Sequence, residues 1–307
     1  VNTKTRAGIR KIIRALDGPR GLERLESMPV DDEGFGYDRF GFERESLYAA
    51  YIFMRQMYRR WFRVESCGHE HIPRSGRAIL VGNHSGLLPF DGAMLAVDLL
   101  EKLDPPRPLR SIVDHFAFAL PYIGMFMYRT GQVPGTPRNF QDLLEREQLV
   151  LVFPEGTKGI VKPYAERYHL QPFNVGFVEI ALEQEAPIVP FAVLGAEEQA
   201  PVLFSSRRIG KRLGMPVFPV TPTFPWFGLA GLVPYPVKYR IAYGEPLFLH
   251  REYPKESARD PDVVRAIAEK IKARVQGMLD LGIELRKNGG GGFARGLLDR
   301  VAREKTS

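Results

Sequence analysis

Residues 78–91 read AILVGNHSGLLPFD. An apolar run is stopped abruptly by Gly82-Asn83-His84, the chain turns through Ser85-Gly86 and Pro89, and an acid stands at the head of a second apolar segment. Few local structures accept that order. The run reads as a buried strand, the Gly, Ser and Pro as a sharp turn, and residues 92–103 as a helix. Such a turn holds its side chains between two rigid elements, which is where catalytic residues collect in α/β proteins. His84 falls at the end of the strand and Asp91 near the start of the helix.

The rest of the chain repeats the alternation. Residues 149–153, LVLVF, form a continuous apolar run of the kind buried on both faces of a parallel sheet, preceded by an amphipathic helix over 139–147. A helix is expected over 175–184 and an apolar strand over 188–194. Shorter strands are expected at 63–64 and 111–113. Residues 237–242 alternate with Lys238 and Arg240, which predicts an edge strand. Residues 261–285 place Val264, Ile267, Ile271, Val275 and Met278 on one helical face. The fold class implied is α/β, a largely parallel or mixed central sheet flanked by helices, with N-terminal amphipathic helices. Three regions follow: residues 1–45 as a basic arm and irregular linker, 46–285 as the main domain, and 286–307 as a Gly-rich linker with a basic tail helix.

Composition narrows the class. Of 307 residues 44% are hydrophobic and 26% charged, enough apolar material for a sizeable core. The net charge of +7 suits nucleic acid, an anionic membrane surface or an anionic substrate without choosing between them. A recognisable nucleic-acid motif is lacking, so nucleic acid is not an expected partner. The one cysteine, Cys67, excludes an internal disulfide and thiolate metal clusters. No run approaches the ~20 apolar residues of a spanning helix, and residues 1–16 lack the apolar core of a signal peptide. Attachment to a membrane is therefore expected to be peripheral, at its cytoplasmic face.

Three stretches bear on such a surface. Residues 1–28 predict a basic amphipathic helix with Ile9, Ile12, Ile13 and Leu16 on one face, either packed on the body or lying on a membrane. Residues 47–62, LYAAYIFMRQMYRRWF, mix arginines with aromatic rings, as at lipid headgroup level or in a buried helix with snorkelling arginines. Residues 216–236 hold too many prolines for a regular helix or central strand, yet carry Phe218, Phe224, Trp226, Phe227, Leu229 and Leu232. That apolar payload either packs on the core or dips into a membrane.

The chemistry is carried by Asn83-His84-x6-Asp91, by Phe153-Pro154-Glu155-Gly156-Thr157-Lys158 where the second apolar run ends, and by the Pro-bracketed strand Ala186-Pro187-Ile188-Val189-Pro190. In that order the three blocks resemble the phospholipid/glycerol acyltransferase superfamily, marked by Asn-His-x4-Asp, Phe-Pro-Glu-Gly-Thr and a late Val-Pro strand. The resemblance spans roughly residues 60–250, and the second block is its most specific part. Six residues rather than four separate His84 from Asp91, as in a subgroup related to enzymes of neutral-lipid as well as phospholipid acylation. The family's acceptor-binding arginine block is met only by Phe126-Met127-Tyr128-Arg129.

Acyl transfer from a thioester to an alcohol needs the hydroxyl proton removed as the oxygen attacks. A neutral histidine does this near pH 7, and a carboxylate on its far ring nitrogen fixes the tautomer and stabilises the imidazolium. His84 is the expected base and Asp91 its orienter. No Gly-x-Ser-x-Gly elbow occurs, which favours direct transfer in a ternary complex over an acyl-enzyme. Turn amides between Gly82 and Gly86, or at Gly156, are candidate oxyanion donors. The resemblance implies that Glu155, Gly156 and Thr157 hold the acceptor's polar head and that Lys158 pairs with a phosphate. It counts Asn83, Ser85, Gly86 and Arg129 with the substrate-binding residues. No cofactor or metal is expected; acyl-CoA or acyl carrier protein serves as co-substrate, and a lysolipid or an acylglycerol as acceptor. His69 and His71 in HEH lack further ligands at metal spacing and read as a surface turn; His115, His169 and His250 read as structural.

Overall fold

The computed structural model describes residues 3–288 apart from 33, 120, 213, 215 and 216. The Gly-rich stretch and tail helix expected over 289–307 lie outside the described residues. In chain order the strands are β1 (Glu65–Cys67), β2 (Ala78–Gly82), β3 (Leu109–Val113), β4 (Val133–Pro134), β5 (Leu149–Val152), β6 (Ile188–Leu194), β7 (Phe204–Ser206), β8 (Phe218–Val220) and β9 (Arg240–Tyr243). The chain divides into two compact units, one of residues 1–60, 73–78 and 92–151, the other of residues 61–72, 79–91 and 152–307. The fold is α/β, with helices flanking a mixed, mostly parallel set of strands.

In the second unit the strands lie in the order β1-β9-β6-β2. β2 and β6 pair in parallel from Ile79 opposite Ile188 to Gly82 opposite Phe191. β9 runs parallel to β1 and antiparallel to β6. Both β2 and β6 are buried along their whole length, as unbroken apolar runs require. The helix Pro261–Lys287 packs against β6. Asp260 caps it by accepting from the amides of Asp262 and Val263, and Pro261 stands in its first turn. Val264, Ile267, Ile271, Val275 and Met278 are buried, the face expected from their spacing.

The edge strand expected over 237–242 is an interior one. β9 is buried throughout and lies between β1 and β6. The alternation misled because Lys238 precedes the strand, and because Lys238 and Arg240 both lie against the Glu65 carboxylate, at 2.5 and 3.4 Å. The charges mark a cross-strand ion pair, not an open edge. β1 itself begins two residues after the expected 63–64.

The first unit holds β3 paired in parallel with both β5 and β4. Its N-terminal helix Thr3–Glu26 breaks helical geometry at Gly18, ahead of Pro19. Only part of the predicted apolar face is used: Ile9 and Ile13 are buried, whereas Ile12 and Leu16 remain exposed. Arg6 and Arg10 are drawn to Glu43, Glu45 and Glu26, so the basic face is partly neutralised within the unit. The helix Arg44–Gln56 continues into a π-helical turn, Met57–Trp61. Its arginines are committed as well: Arg55 pairs with Asp17 and Glu101, and Arg59 with Glu101 at 2.5 Å. Tyr48, Tyr51 and Tyr58 are buried. Among the described residues no helix is long and apolar enough to cross a membrane.

Candidate active site

The end of β2 is built to release one loop in one direction. Gly82 sits so close to β6 that a Cβ there would lie 2.5 Å from the Phe191 ring and carbonyl oxygen. Beyond it the backbone leaves the sheet and the Asn83 side chain takes over the ladder. Its Nδ2 donates to the Val193 carbonyl at 2.9 Å, and its Oδ1 accepts from the Val193 amide at 2.8 Å. Asn83, expected to bind substrate, anchors the loop through both of its polar atoms.

His84 follows immediately. Its Nδ1 lies 2.7 Å from Asp91 Oδ2. The same carboxylate oxygen accepts from the Ser85 amide at 2.9 Å. Asp91 is fully buried in the first turn of the helix Phe90–Lys102, where the helix dipole favours a negative charge. A carboxylate on Nδ1 holds the proton there and leaves the lone pair on Nε2. The imidazole stacks on Phe153, with centroids 4.0 Å apart and planes 11° from parallel, and Phe153 meets Phe191 edge-on. One face of the ring is thereby closed to water.

Glu155 joins the second block to the first. Its Oε1 accepts from the His84 amide at 2.9 Å and its Oε2 from the Gln171 amide at 2.7 Å. Lys162 Nζ stands 3.8 Å from Oε2 and donates to Glu197 Oε1 at 3.0 Å. Glu197 Oε2 accepts from the Tyr168 amide at 2.8 Å. Burial pushes the Glu197 carboxyl above the usual carboxylate range, against the opposing pull of Lys162. The carboxylate expected to touch the acceptor thus has both oxygens engaged by the protein and acts on the loop of His84.

Gly156 has φ +58° and starts the short helix Thr157–Ile160; its amide donates to the Phe153 carbonyl at 3.0 Å. Thr157 is half-buried and Lys158 exposed. The amides of His84, Ser85 and Gly156 are all engaged, which removes three of the candidate oxyanion donors. Gly86 has φ +87°, and a Cβ there would lie 1.9 Å from Gln199 Nε2. Gln199 is itself held by the Tyr239 hydroxyl at 2.6 Å. Asn83, His84, Ser85, Gly86, Asp91 and Glu155 are therefore brought together in one unit. Arg129 belongs to the other unit, where it lies in the last turn of the helix Ile123–Thr130 with its guanidinium 5.3 Å from the Tyr37 ring centroid.

The expected surface turn at His69 and His71 is a 3-10 turn, where His71 Nδ1 lies 2.9 Å from the Tyr243 carbonyl oxygen and the His69 ring packs on Tyr243. Lys162, Glu197, Gln171 and Gln199 were missed from the sequence. The adjacent acids Glu197 and Glu198, just past the end of β6, were the available signal, because strand ends are where sites gather.

The acyltransferase family model matches residues 63–194, which include both blocks. An uncharacterized protein of Mycobacterium tuberculosis is 40% identical over 244 residues, 79% of this chain and 68% of its own length. A Gallus gallus protein named "DGAT1/2-independent enzyme synthesizing storage lipids" is 26% identical over 243 residues, 79% of this chain and 65% of that protein. The crystal structure of the 1-acyl-sn-glycerophosphate acyltransferase PlsC from Thermotoga maritima has the same fold, with a TM-score of 0.50 at 16% identity, covering 91% of this chain and 94% of that one. The chain belongs to the acyltransferase family. The acyltransferase that the motif order implied is borne out by that match, and the fold is the one seen in PlsC.

Proposed function

We propose that the enzyme moves a fatty acyl chain from acyl-CoA or acyl carrier protein to the hydroxyl of a lysophospholipid such as 1-acylglycerol 3-phosphate, with His84 as general base and Asp91 as its orienter. The observation that carries the reading is the 2.7 Å contact between His84 Nδ1 and Asp91, which leaves Nε2 to receive the acceptor's proton. As the hydroxyl oxygen forms its bond to the thioester carbon, its proton passes to Nε2 and the imidazolium forms beside a buried carboxylate. Collapse of the tetrahedral intermediate expels the thiolate, which takes that proton and restores neutral His84. Exposed Lys158, beside Thr157, supports a phosphate-bearing acceptor.

A second reading has a neutral mono- or diacylglycerol as acceptor. It is favoured by the name of the Gallus gallus relative, which is that of an enzyme synthesizing storage lipids, and by the six-residue spacing between His84 and Asp91. Purified protein given labelled acyl-CoA and a mixture of phosphorylated and unphosphorylated acceptors decides between them, with products identified by mass. Acylation of the phosphorylated acceptor supports the first reading, and acylation of the glyceride alone overturns it. A non-catalytic lipid carrier on this fold would show no product, and the same result with His84→Ala as with the native protein.

A further inference from the structure

Residues 200–236 contain Arg207, Arg208, Lys211 and Arg212 and neither aspartate nor glutamate. They form a small substructure of the second unit. β7 and β8 pair antiparallel with Phe204 opposite Val220, and the helix Arg207–Arg212 lies in the connection between them. Past β8 the chain folds back on itself: the Thr221 amide donates to the Phe224 carbonyl at 2.8 Å, and Thr223 Oγ1 donates to the Gly231 carbonyl at 2.9 Å. Phe218 and Phe224 pack with centroids 5.3 Å apart.

What this scaffold leaves in water is its apolar side chains. Leu203, Phe204, Ile209, Trp226, Phe227 and Leu229 are all exposed, Trp226 at 70% and Leu229 at 83%. Surface apolar residues are ordinarily scattered singly; so many on one short segment mark an interaction surface. Of the six apolar residues expected either to pack on the core or to enter a membrane, Trp226, Phe227 and Leu229 are exposed, whereas Phe218, Phe224 and Leu232 are half-buried. The Thr221–Phe224 and Thr223–Gly231 hydrogen bonds fix the turn that carries the three exposed side chains. All four cations of the helix are exposed too, and none forms an ion pair with a described residue.

We infer that this hairpin docks the enzyme on an anionic lipid bilayer. Trp226, Phe227 and Leu229 enter the headgroup layer, and Arg207, Arg208, Lys211 and Arg212 pair with lipid phosphates. An exposed tryptophan and exposed cations on one segment are the chemistry of the lipid–water interface, where ring and charge are both satisfied. A second copy of the chain is the poorer occupant, since it would set four cations against four without an acid to offset them. Binding of the bilayer gives the proposed lipid acceptor a reason to be near, but it does not depend on the transfer chemistry.

The test uses the full chain and vesicles of phosphatidylcholine, alone or mixed with phosphatidylglycerol. Trp61→Phe leaves Trp226 as the one tryptophan of the two in the chain, so its emission reports on the tip. A blue shift with the anionic vesicles, and at least tenfold tighter binding to them than to neutral ones, is expected, weakening as salt rises. Cosedimentation of the native protein must agree. The double variants Trp226→Ser/Leu229→Ser and Arg207→Gln/Arg208→Gln should each lose at least tenfold in vesicle affinity. They should keep the native Tm and the native rate on a water-soluble short-chain acceptor. Equal binding to neutral vesicles, no blue shift, or unaltered binding by either double variant overturns the proposal. So does a dimer that forms in the native protein and is lost in the variants. His84→Ala protein should bind vesicles as the native does, so failure of docking and failure of the chemical reading are separately visible.

Discussion

Glu155 Oε1 accepts the backbone N–H of His84 at 2.9 Å across 71 residues of sequence, so one carboxylate joins the two blocks that define the site. Its other oxygen holds the Gln171 amide. Glu155→Gln turns an amide NH₂ toward one of those two N–H groups, leaving a buried donor unmatched at a cost of about 1–3 kcal/mol. A lowered urea midpoint together with a reduced kcat is expected. A fall in kcat with stability unaltered would instead mean direct contact with the acceptor.

Replacing His84, the proposed base, by Ala should lower kcat by about 10²–10⁴-fold, well beyond the effect of any fall in Tm from the lost Phe153 stacking and Asp91 bond. Asp91→Asn keeps an acceptor for the Ser85 amide but removes the charge that stabilises the imidazolium. It should cost a comparable factor in kcat with little change in KM. Steady-state kinetics on both variants, beside thermal unfolding, make the comparison.

Lys162 is the buried cation shared by Glu155 and Glu197. Lys162→Met strands Glu197 in the interior, which destabilises by about 3–5 kcal/mol, and Glu197→Gln in the same chain should restore part of the loss. Burial already raises the Glu197 pKa, with Lys162 opposing, so loss of the lysine raises it further. A carboxyl whose folded pKa lies above its unfolded value contributes stability at low pH that is lost as pH rises through the folded pKa. The single variant should therefore lose more stability, relative to native, at pH about 8 than at about 5; Tm measured at both checks the sign.

The helices of the first unit carry the opposite dependence. Burial alone would raise the Glu101 pKa, but hydrogen bonds from Arg59 and Tyr51, with the charges of Arg59 and Arg55, hold it below 4.5. A depressed carboxyl contributes stability above its unfolded pKa and loses it as pH falls through the folded one. Glu101→Gln should cost about 2–3 kcal/mol at neutral pH and flatten the acid limb of a stability–pH curve. Urea titrations from neutral pH downward measure it.

Gly86→Ala forces a side chain into left-handed backbone and against Gln199. The backbone part alone costs about 1–2 kcal/mol, and the displaced Gln199 gives up its bond to the Tyr239 hydroxyl. A drop in both Tm and kcat is expected; an unchanged kcat would show that the turn does not govern the position of His84.

The site was legible where chemistry and chain order coincide. His84 and Asp91 lie seven residues apart around one turn, and that spacing together with the Phe153–Lys158 block pointed to the pair that the fold sets side by side. Glu155 was found as a residue, but its hydrogen bonds to the His84 and Gln171 amides were not foreseeable, because every residue has a backbone amide and no sequence distinguishes one. Lys162 lies in an irregular segment without periodicity, and only folding brings it to Glu197. β9 failed for a related reason: an ion pair between neighbouring strands and a solvated edge give the same alternating pattern. In residues 216–236 the hydrophobicity was plain, yet composition does not say which of those side chains folding leaves exposed.

The clamp made by Asn83 has a consequence for how this loop can change. Asn83 is fixed to Val193 at one end, and at the other Asp91 closes back onto Ser85 and His84. The segment from Leu87 to Phe90 is thus a bridge between two moorings. Between them Gln199 Nε2 donates to the Leu88 carbonyl at 3.3 Å, so a change in the length of this bridge must keep that third mooring if His84 and Asp91 are to stay aligned.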